Sequence, residues 1–283
     1  LRALVPHYKT DTCGTLPARR HGSGLLALQT FALLLSIGTI RREQGLSFIL
    51  ALEEPELHVP PGLQRRLIGQ AMSVAEQTIC TSHAPRVAAF YPATSVQILD
   101  KRADRLCATS FAETPLKDDA TNAERKMHLD DRTRFVEALM FPQIIVPEGR
   151  IDYEWLRLLV DVTEMGSPPG PDEPDSVPPF SATVGVAPTH SSDVEGTYAR
   201  LRRLRGSIHG LVDGDGPGND KVGELLRHPQ APSVIIQWRD GWFIEHVVGW
   251  ILEGDEPASI VETNRRLERT DGTVAELIAA LKT

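Results

Sequence analysis

The chain has 283 residues, 41% hydrophobic and 24% charged, with a formal net charge of -8. That length accommodates one large domain or two ordinary ones with an ample core. The composition is that of a soluble globular protein, and the negative charge excludes a global basic field for nucleic acid while leaving room for a local basic groove. Three widely spaced cysteines, Cys13, Cys80 and Cys107, form neither a Cys-x-x-Cys metal site nor a disulfide framework, so a reducing, cytoplasmic setting is expected.

In chain order, the Gly-rich turn Gly22-Ser23-Gly24 precedes an apolar helix expected over Leu25–Arg42. Its most apolar part, Leu25–Ile40, is interrupted by Gln29, Thr30, Ser36 and Thr39 and is short for a membrane span, so no membrane partner is expected. No signal peptide is read, and a start on Leu rather than Met fits a piece of a longer protein. Ser47–Leu52 reads as a buried strand ending in acids, and Pro61–Ala75 as a helix opening on proline. Gln77–Thr81 and Ser95–Asp100 read as further strands. The polar stretch Thr114–Asp131 reads as a helical linker leading into Arg132–Met140.

A second α/β run follows: strand Gln143–Pro147, helix Tyr153–Glu164, strand Ala182–Ala187, helix Asp193–Leu204 and strand Ile208–Asp213, then strand Val234–Gln237 and helix Phe243–Leu252. Gly166–Pro179 contains six prolines and reads as an exposed insertion. Pro257–Thr283 reads as two short helices. Alternating strands and helices predict an α/β layered sheet, with no internal repeat.

In the first half, Ser47–Leu52 runs into Glu53-Glu54-Pro55-Glu56. An acid at such a strand end holds Mg²⁺ through its water shell in nucleotide hydrolases, and a following glutamate polarises the attacking water. Thr78–Ser82 leads to His83, suited to a terminal phosphate, while Gly22, Ser23 and Gly24 offer backbone N–H groups at a helix start. Each piece alone also reads as a solvated turn or a cap. In this order and spacing they resemble ABC-type ATPases of the recombination, repair and chromosome-maintenance branch. The resemblance covers about residues 20–100 and implies that Gly22-Ser23-Gly24 is similar to the signature loop. It likewise implies Glu53 as the Walker B acid, Glu54 as the catalytic glutamate and His83 as the switch histidine. No Gly-x-x-x-x-Gly-Lys-Ser/Thr loop is present, so this sequence by itself is not expected to hydrolyse ATP.

In the second half, Glu148-Gly149-Arg150-Ile151-Asp152 follows the strand Gln143–Pro147, and Asp213-Gly214-Asp215 follows Ile208–Val212. Carboxylates aimed together from strand ends repel unless protons or cations compensate them. Asp152 lies four residues beyond Glu148 in the first turn of a helix, and Asp213 and Asp215 point to the same side of an extended chain. In a doubly wound sheet all four converge at the carboxyl ends of the strands, an oxygen-rich set suited to two Mg²⁺ or Mn²⁺ ions. Singly, Glu148 also reads as a capping acid, Asp213–Gly218 as an Asp/Gly turn, and Asp152 and Glu245 as solvated helix acids. His209 and Trp238, Trp242 and Trp250 read as packing.

This arrangement resembles the Toprim domain, over about residues 142–252. An ABC-type ATPase followed by Toprim resembles the overcoming-lysogenization-defect (OLD) family of nucleases. The organisation so implied is the C-terminal part of an ATPase domain at 1–115, a helical linker at 116–140, a Toprim nuclease domain with a mostly parallel, Rossmann-like sheet at 141–255, and a helical segment at 256–283. By resemblance, Glu148 is the Toprim glutamate, Asp213 and Asp215 are the Asp-x-Asp metal ligands, Asp152 is the additional nuclease acid, and Glu245 is a further metal-site acid. Arg150 and Lys221 are the nearest cations for a scissile phosphate. The implied activity is a two-metal DNA endonuclease regulated by ATP through the ATPase half. Implied partners are DNA, a second copy in a homodimer or larger homo-oligomer, and a helicase-like protein, with a role in phage defence or repair. The family's additional lysine has no assigned position.

The alternative is an ATP-controlled DNA-binding or assembly protein with a catalytically weak Toprim unit. A haloacid-dehalogenase-like phosphatase ranks lower, because Asp-x-Asp follows a late strand and is trailed by Gly-Pro-Gly. A primase or topoisomerase would bring a zinc module or a cleavage tyrosine, neither of which is obvious. The basic run Arg200, Arg202, Arg203 and Arg205 reads as a solvated helix face or as a salt-sensitive phosphate contact.

Overall fold

The computed structural model describes residues 7–12, 14–17, 20–102, 104–165, 180–189, 193–253 and 276. The Pro-rich segment Gly166–Pro179 and, apart from Glu276, the expected C-terminal helices of Pro257–Thr283 lie outside them. The described residues form a mixed α/β protein with parallel sheet, in two compact units that divide between Pro92 and Ala93.

The first unit opens with an antiparallel hairpin of β1 (His7–Thr10) and β2 (Gly14–Pro17), followed by α1 (Ser23–Glu43). Polar side chains inside this apolar helix bond back one turn: Thr30 Oγ1 donates to Leu26 O, Ser36 Oγ to Ala32 O and Thr39 Oγ1 to Leu35 O. These bonds satisfy the hydroxyls without water, so they do not interrupt the helix. At 21 residues α1 outruns the stretch Leu25–Ile40 and is long and apolar enough to cross a membrane by length and composition. Core helices meet the same criterion, but here Leu33, Ile37 and Ile40 are each about half exposed.

Strand β3 (Ile49–Glu53), helix α2 (Pro61–Val74) and strand β4 (Gln77–Thr81) complete a β-α-β crossover, with a short α3 (Pro85–Ala88) beyond it. β3 and β4 pair in parallel, Leu50 opposite Thr78 and Glu53 opposite Thr81, so their carboxyl ends emerge side by side.

The second unit begins with an antiparallel hairpin, β5 (Gln97–Arg102) and β6 (Arg105–Ser110). β6 was not expected from sequence, and the hairpin belongs to this unit rather than to the residues before 93. Arg205 accounts for part of that attachment: its guanidinium donates to Asp100 Oδ1 at 2.7 Å and to the carbonyls of Leu139 and Phe141. The linker is less helical than expected. Helix starts only at α4 (Asn122–Arg125) and continues as a π-helical stretch over Lys126–Asp130 before α5 (Arg132–Leu139).

The main sheet follows: β7 (Gln143–Pro147), α6 (Arg150–Met165), α7 (Phe180–Thr183), β8 (Val184–Val186), α8 (Val194–Leu204), β9 (Ile208–Val212), α9 (Gly216–Arg227), β10 (Ile235–Gln237) and α10 (Ile244–Glu253). Its strands are all parallel, in the order β10-β9-β7-β8. β7 and β9 occupy the centre and are largely apolar because a parallel sheet is covered on both faces, although His209 stands inside β9. Ile144, Val146, Ile208, Leu211 and Val212 are at most 2% exposed. α8 covers them with a stripe spaced for one helix face, Val194, Thr197, Tyr198, Leu201 and Leu204, all buried. Truncating one of these leucines to alanine is expected to cost about 2–5 kcal/mol.

α9 is the one major helix that the sequence reading left out. Asp215 caps it, accepting from Gly218 N–H at 2.7 Å, and Pro217 lies in its first turn, where a missing N–H costs nothing.

Candidate functional site

The sheet order places β7 and β9 side by side although their onward connections lead to opposite sides, to β8 and to β10. Such a switch point leaves a crevice outside the carboxyl ends of the two strands. Glu148 follows β7 and Asp213 follows β9, so the two acids flank that crevice.

Glu148 joins both strand ends. Its Oε2 accepts from Asp213 N–H at 2.8 Å, while Oε1 lies 2.5 Å from Nζ of Lys221 on α9. Both side chains of this ion pair are 12% exposed. Asp152 sits in the first turn of α6 and is buried, with Oδ2 accepting from Gly149 N–H at 3.1 Å. Glu245, in the first turn of α10, is also buried.

Electrostatics link the group. Burial pushes the Asp152 carboxyl up to about 6, reinforced by the charges of Glu148 and Glu245 and opposed by backbone N–H groups. Asp213 is pushed up to about 7, first by burial and then by Asp152, Glu148, Asp215 and Glu245. Its Oδ1 is closed off from solvent and has no hydrogen-bond partner among the described residues. Asp213 thus holds a proton far more readily than an ordinary aspartate, or gains from a cation in its place.

Asp215 helps to raise the Asp213 carboxyl, and its own Oδ1 accepts from Gly218 N–H as the cap of α9. Arg150 pairs with Glu154 one turn along α6 and is half exposed. Among the described residues, no group of three or more His, Cys, Asp or Glu side chains is arranged to hold a metal ion. The donors still suit a hard divalent cation chemically: they are all carboxylates, one oxygen is orphaned, and two have raised proton affinity. Glu148 can join such a cation only where Lys221 gives way.

The turn that carries Asp213 is built by close backbone approach. Gly214 N–H donates to Trp242 O and Gly241 N–H to Gly214 O, each at 2.7 Å. A Cβ on Gly214 would lie 1.9 Å from Arg239 O, and one on Gly218 would lie 2.1 Å from Asp213 O. Gln237, at the end of β10, donates through Nε2 to Asp213 O and to Asn219 Oδ1. Gln237 and Asn219 carried no signal in the sequence. Lys221 did, as a nearby cation, but its partner is Glu148.

The basic run on α8 divides. Arg205 is spent on Asp100 and carbonyls, and Arg202 donates to Arg205 O, whereas Arg200 and Arg203 hold Asp193 and Glu113 at the surface. His209 Nδ1 is buried without a hydrogen-bond partner among the described residues, and burial lowers the affinity of that ring for a proton. Trp242 stacks on His246, while Trp250 is 62% exposed rather than packed.

In the first unit, Glu53 ends β3 and Glu54 N–H bonds to Thr81 O, which brings the exits of β3 and β4 together. Glu54 has a φ of 42°, an uncommon conformation for a residue with a side chain. His83 Nε2 lies 3.2 Å from Glu54 Oε1. Glu56 acts as the clasp between the two exits: a single oxygen, Oε1, accepts from Ser82 Oγ and from the N–H groups of His83 and Ala84. Gly22 caps α1, and Gly24 lies so near the turn after β3 that a Cβ there would be 2.9 Å from His58 O. No protein-family model matches this sequence, and no curated protein matches it.

Proposed function

We propose that the chain is a metal-dependent DNA endonuclease of the OLD kind: a Toprim-like unit joined to the C-terminal part of an ABC-type ATPase. The observation that carries the reading is the meeting of Glu148, Asp152 and Asp213 at the switch point of a parallel sheet, with one Asp213 oxygen buried and unpartnered.

On this reading Glu148, Asp152 and Asp213 hold Mg²⁺ or Mn²⁺, with Asp215 and Glu245 adding negative charge nearby. The metal would supply an activated water and charge stabilisation at the leaving oxygen. Asp213 and Asp152 exchange a proton for a cation near neutral pH, Glu148 holds the exits of β7 and β9 in register, and Lys221 offers an ammonium to a phosphate oxygen once released from Glu148. In the first unit, Glu53 and Glu54 with His83 would serve the ATP-dependent control, with Gly22, Ser23 and Gly24 presenting N–H groups to a phosphate, once a phosphate-cradling loop is supplied from elsewhere.

A specific observation also favours the second reading, an ATP-controlled DNA-binding or assembly protein. Lys221 already neutralises Glu148, and the carboxylates do not form a ready cage among the described residues. Supercoiled plasmid incubated with Mg²⁺, Mn²⁺ or EDTA separates the two. A nuclease nicks or linearises the plasmid only with metal, and Asp213→Ala lowers the rate by roughly 100-fold or more. An assembly protein retards the DNA without cutting it, equally with and without that substitution.

A further inference from the structure

A cavity of about 550 Å³ lies between the irregular segment after β6, the π-helical stretch and α8. The mechanism above does not use it. Its lining includes the buried Phe111 and Met127 together with Arg200 and Arg203. These two arginines stand three residues apart on α8 and so share one helix face.

We propose that this cavity binds a small phosphomonoester of nucleoside-monophosphate size, with the phosphate held by the Arg200 and Arg203 guanidiniums. The volume falls within the range of sites for small organic ligands, and the lining combines buried apolar side chains with charged groups of both signs. Guanidinium forks match phosphate oxygens in pairs, and two neighbouring forks suit a dianion better than one carboxylate.

The present partners of the two arginines leave them available. Arg203 Nη2 donates to Phe111 O at 3.2 Å and Nη1 lies 2.8 Å from Glu113 Oε1, but Glu113 is 69% exposed, so water screens that pair and a dianion competes for it and for the remaining N–H groups. Arg200 reaches Asp193 at 3.2 Å and Thr121 Oγ1 at 3.4 Å, and a guanidinium carries more donors than these bonds use. Glu113 thus occupies the position the phosphate takes. Of the other charges lining the cavity, Glu124 is already held by Thr121 N–H and Oγ1, and Lys117 and Asp119 offset one another.

The π-helical turn Lys126–Asp130 adds a second pointer, because such stretches are costly and concentrate at functional sites. It sets His128 into the cavity wall beside Phe111, with ring centroids 6.4 Å apart. Burial, with Arg132, Arg203 and Arg200 nearby, keeps that imidazole short of its proton despite Glu124. It therefore offers a neutral hydrogen-bonding edge to the ligand's uncharged part.

Calorimetric titration of the full chain with adenosine monophosphate, inorganic phosphate and adenosine tests this. Saturable binding of the monophosphate is expected, weaker binding of phosphate, and none of adenosine. Arg203→Gln should weaken monophosphate binding by about tenfold or more. Glu113→Gln, at an exposed position, should tighten it several-fold, an effect that loss of folding cannot imitate. No saturable binding at millimolar monophosphate, or binding that neither substitution moves, overturns the proposal.

Discussion

Lys221 Nζ sits 2.5 Å from Glu148 Oε1, so the glutamate that ends β7 is neutralised by the helix that follows β9. The contact ties the two sides of the switch-point crevice and leaves Glu148 dependent on a single cation. Removing one partner of a nearly buried ion pair leaves the other charge uncompensated. Lys221→Gln is therefore expected to lower unfolding free energy by roughly 3–5 kcal/mol. In thermal melts, millimolar Mn²⁺ should raise the midpoint of this variant more than that of the unaltered chain, because the cation replaces the missing ammonium. Equal responses to Mn²⁺ would mean that Glu148 does not take a metal.

A pH dependence follows from Asp213 and Asp152, whose carboxyls titrate near 7 and near 6 in the folded chain against 3.8 ordinarily. The folded state binds the extra protons between those values, so these groups stabilise it most at low pH. That contribution is lost as pH rises to about 7. His128 and His209, shifted down by burial, act in the opposite sense below 6.5. The informative quantity is thus the difference between the chain and Asp213→Asn. Without divalent cations, the variant should melt a few degrees higher at pH 8 and show little advantage at pH 4.5. A constant offset across that range would remove Asp213 from the account.

The parts of this site legible in the sequence are those written locally. Apolar runs that stop abruptly at Glu53, Glu148 and Asp213 announced strand ends, and strands β4 and β7 fall on the expected residues. What escaped depends on the chain returning from a distance. Gly216-Pro217-Gly218 has turn composition and hid α9, although Asp215 with Pro217 after it is a helix-start pattern. Neither the capping bond of Asp215 nor the Lys221–Glu148 pair has a local signal without α9. Glu56 looked like a solvated acid because its partners lie 26 to 28 residues on. Strand β6 escaped because Arg105–Ser110 alternates weakly and its partner β5 is polar.

The glycines of the Asp213 turn allow a paired test. A Cβ at Gly214 meets a backbone oxygen, which cannot rotate away, whereas at Gly216 it meets nothing within 4 Å. Gly214→Ala should destabilise the fold by about 3 kcal/mol or more through overpacking. Gly216→Ala, in the first turn of α9 and limited only by its neighbour Pro217, should cost no more than about 1 kcal/mol. Chemical denaturation of both variants decides it, and equal midpoints would show that the turn does not approach Arg239 as described.

In the first unit the corresponding test falls on Glu56. One carboxylate oxygen receives a hydroxyl and two backbone N–H groups from Ser82, His83 and Ala84, and so holds the residue that contacts Glu54. Hydrogen bonds to a charged acceptor contribute about 1.5–3 kcal/mol each when buried. This turn is partly exposed, so water recovers much of that on loss, and Glu56→Ala is expected to cost about 1–2 kcal/mol in all. The sharper readout is local. Amide exchange at His83 and Ala84 should accelerate in Glu56→Ala and recover in part in Glu56→Gln, whose side-chain carbonyl still accepts. Those β4 amides that point at β3 should stay protected in both, because their partners are the carbonyls of β3 rather than Glu56. Acceleration across the whole strand would instead make Glu56 a general determinant of the unit's stability.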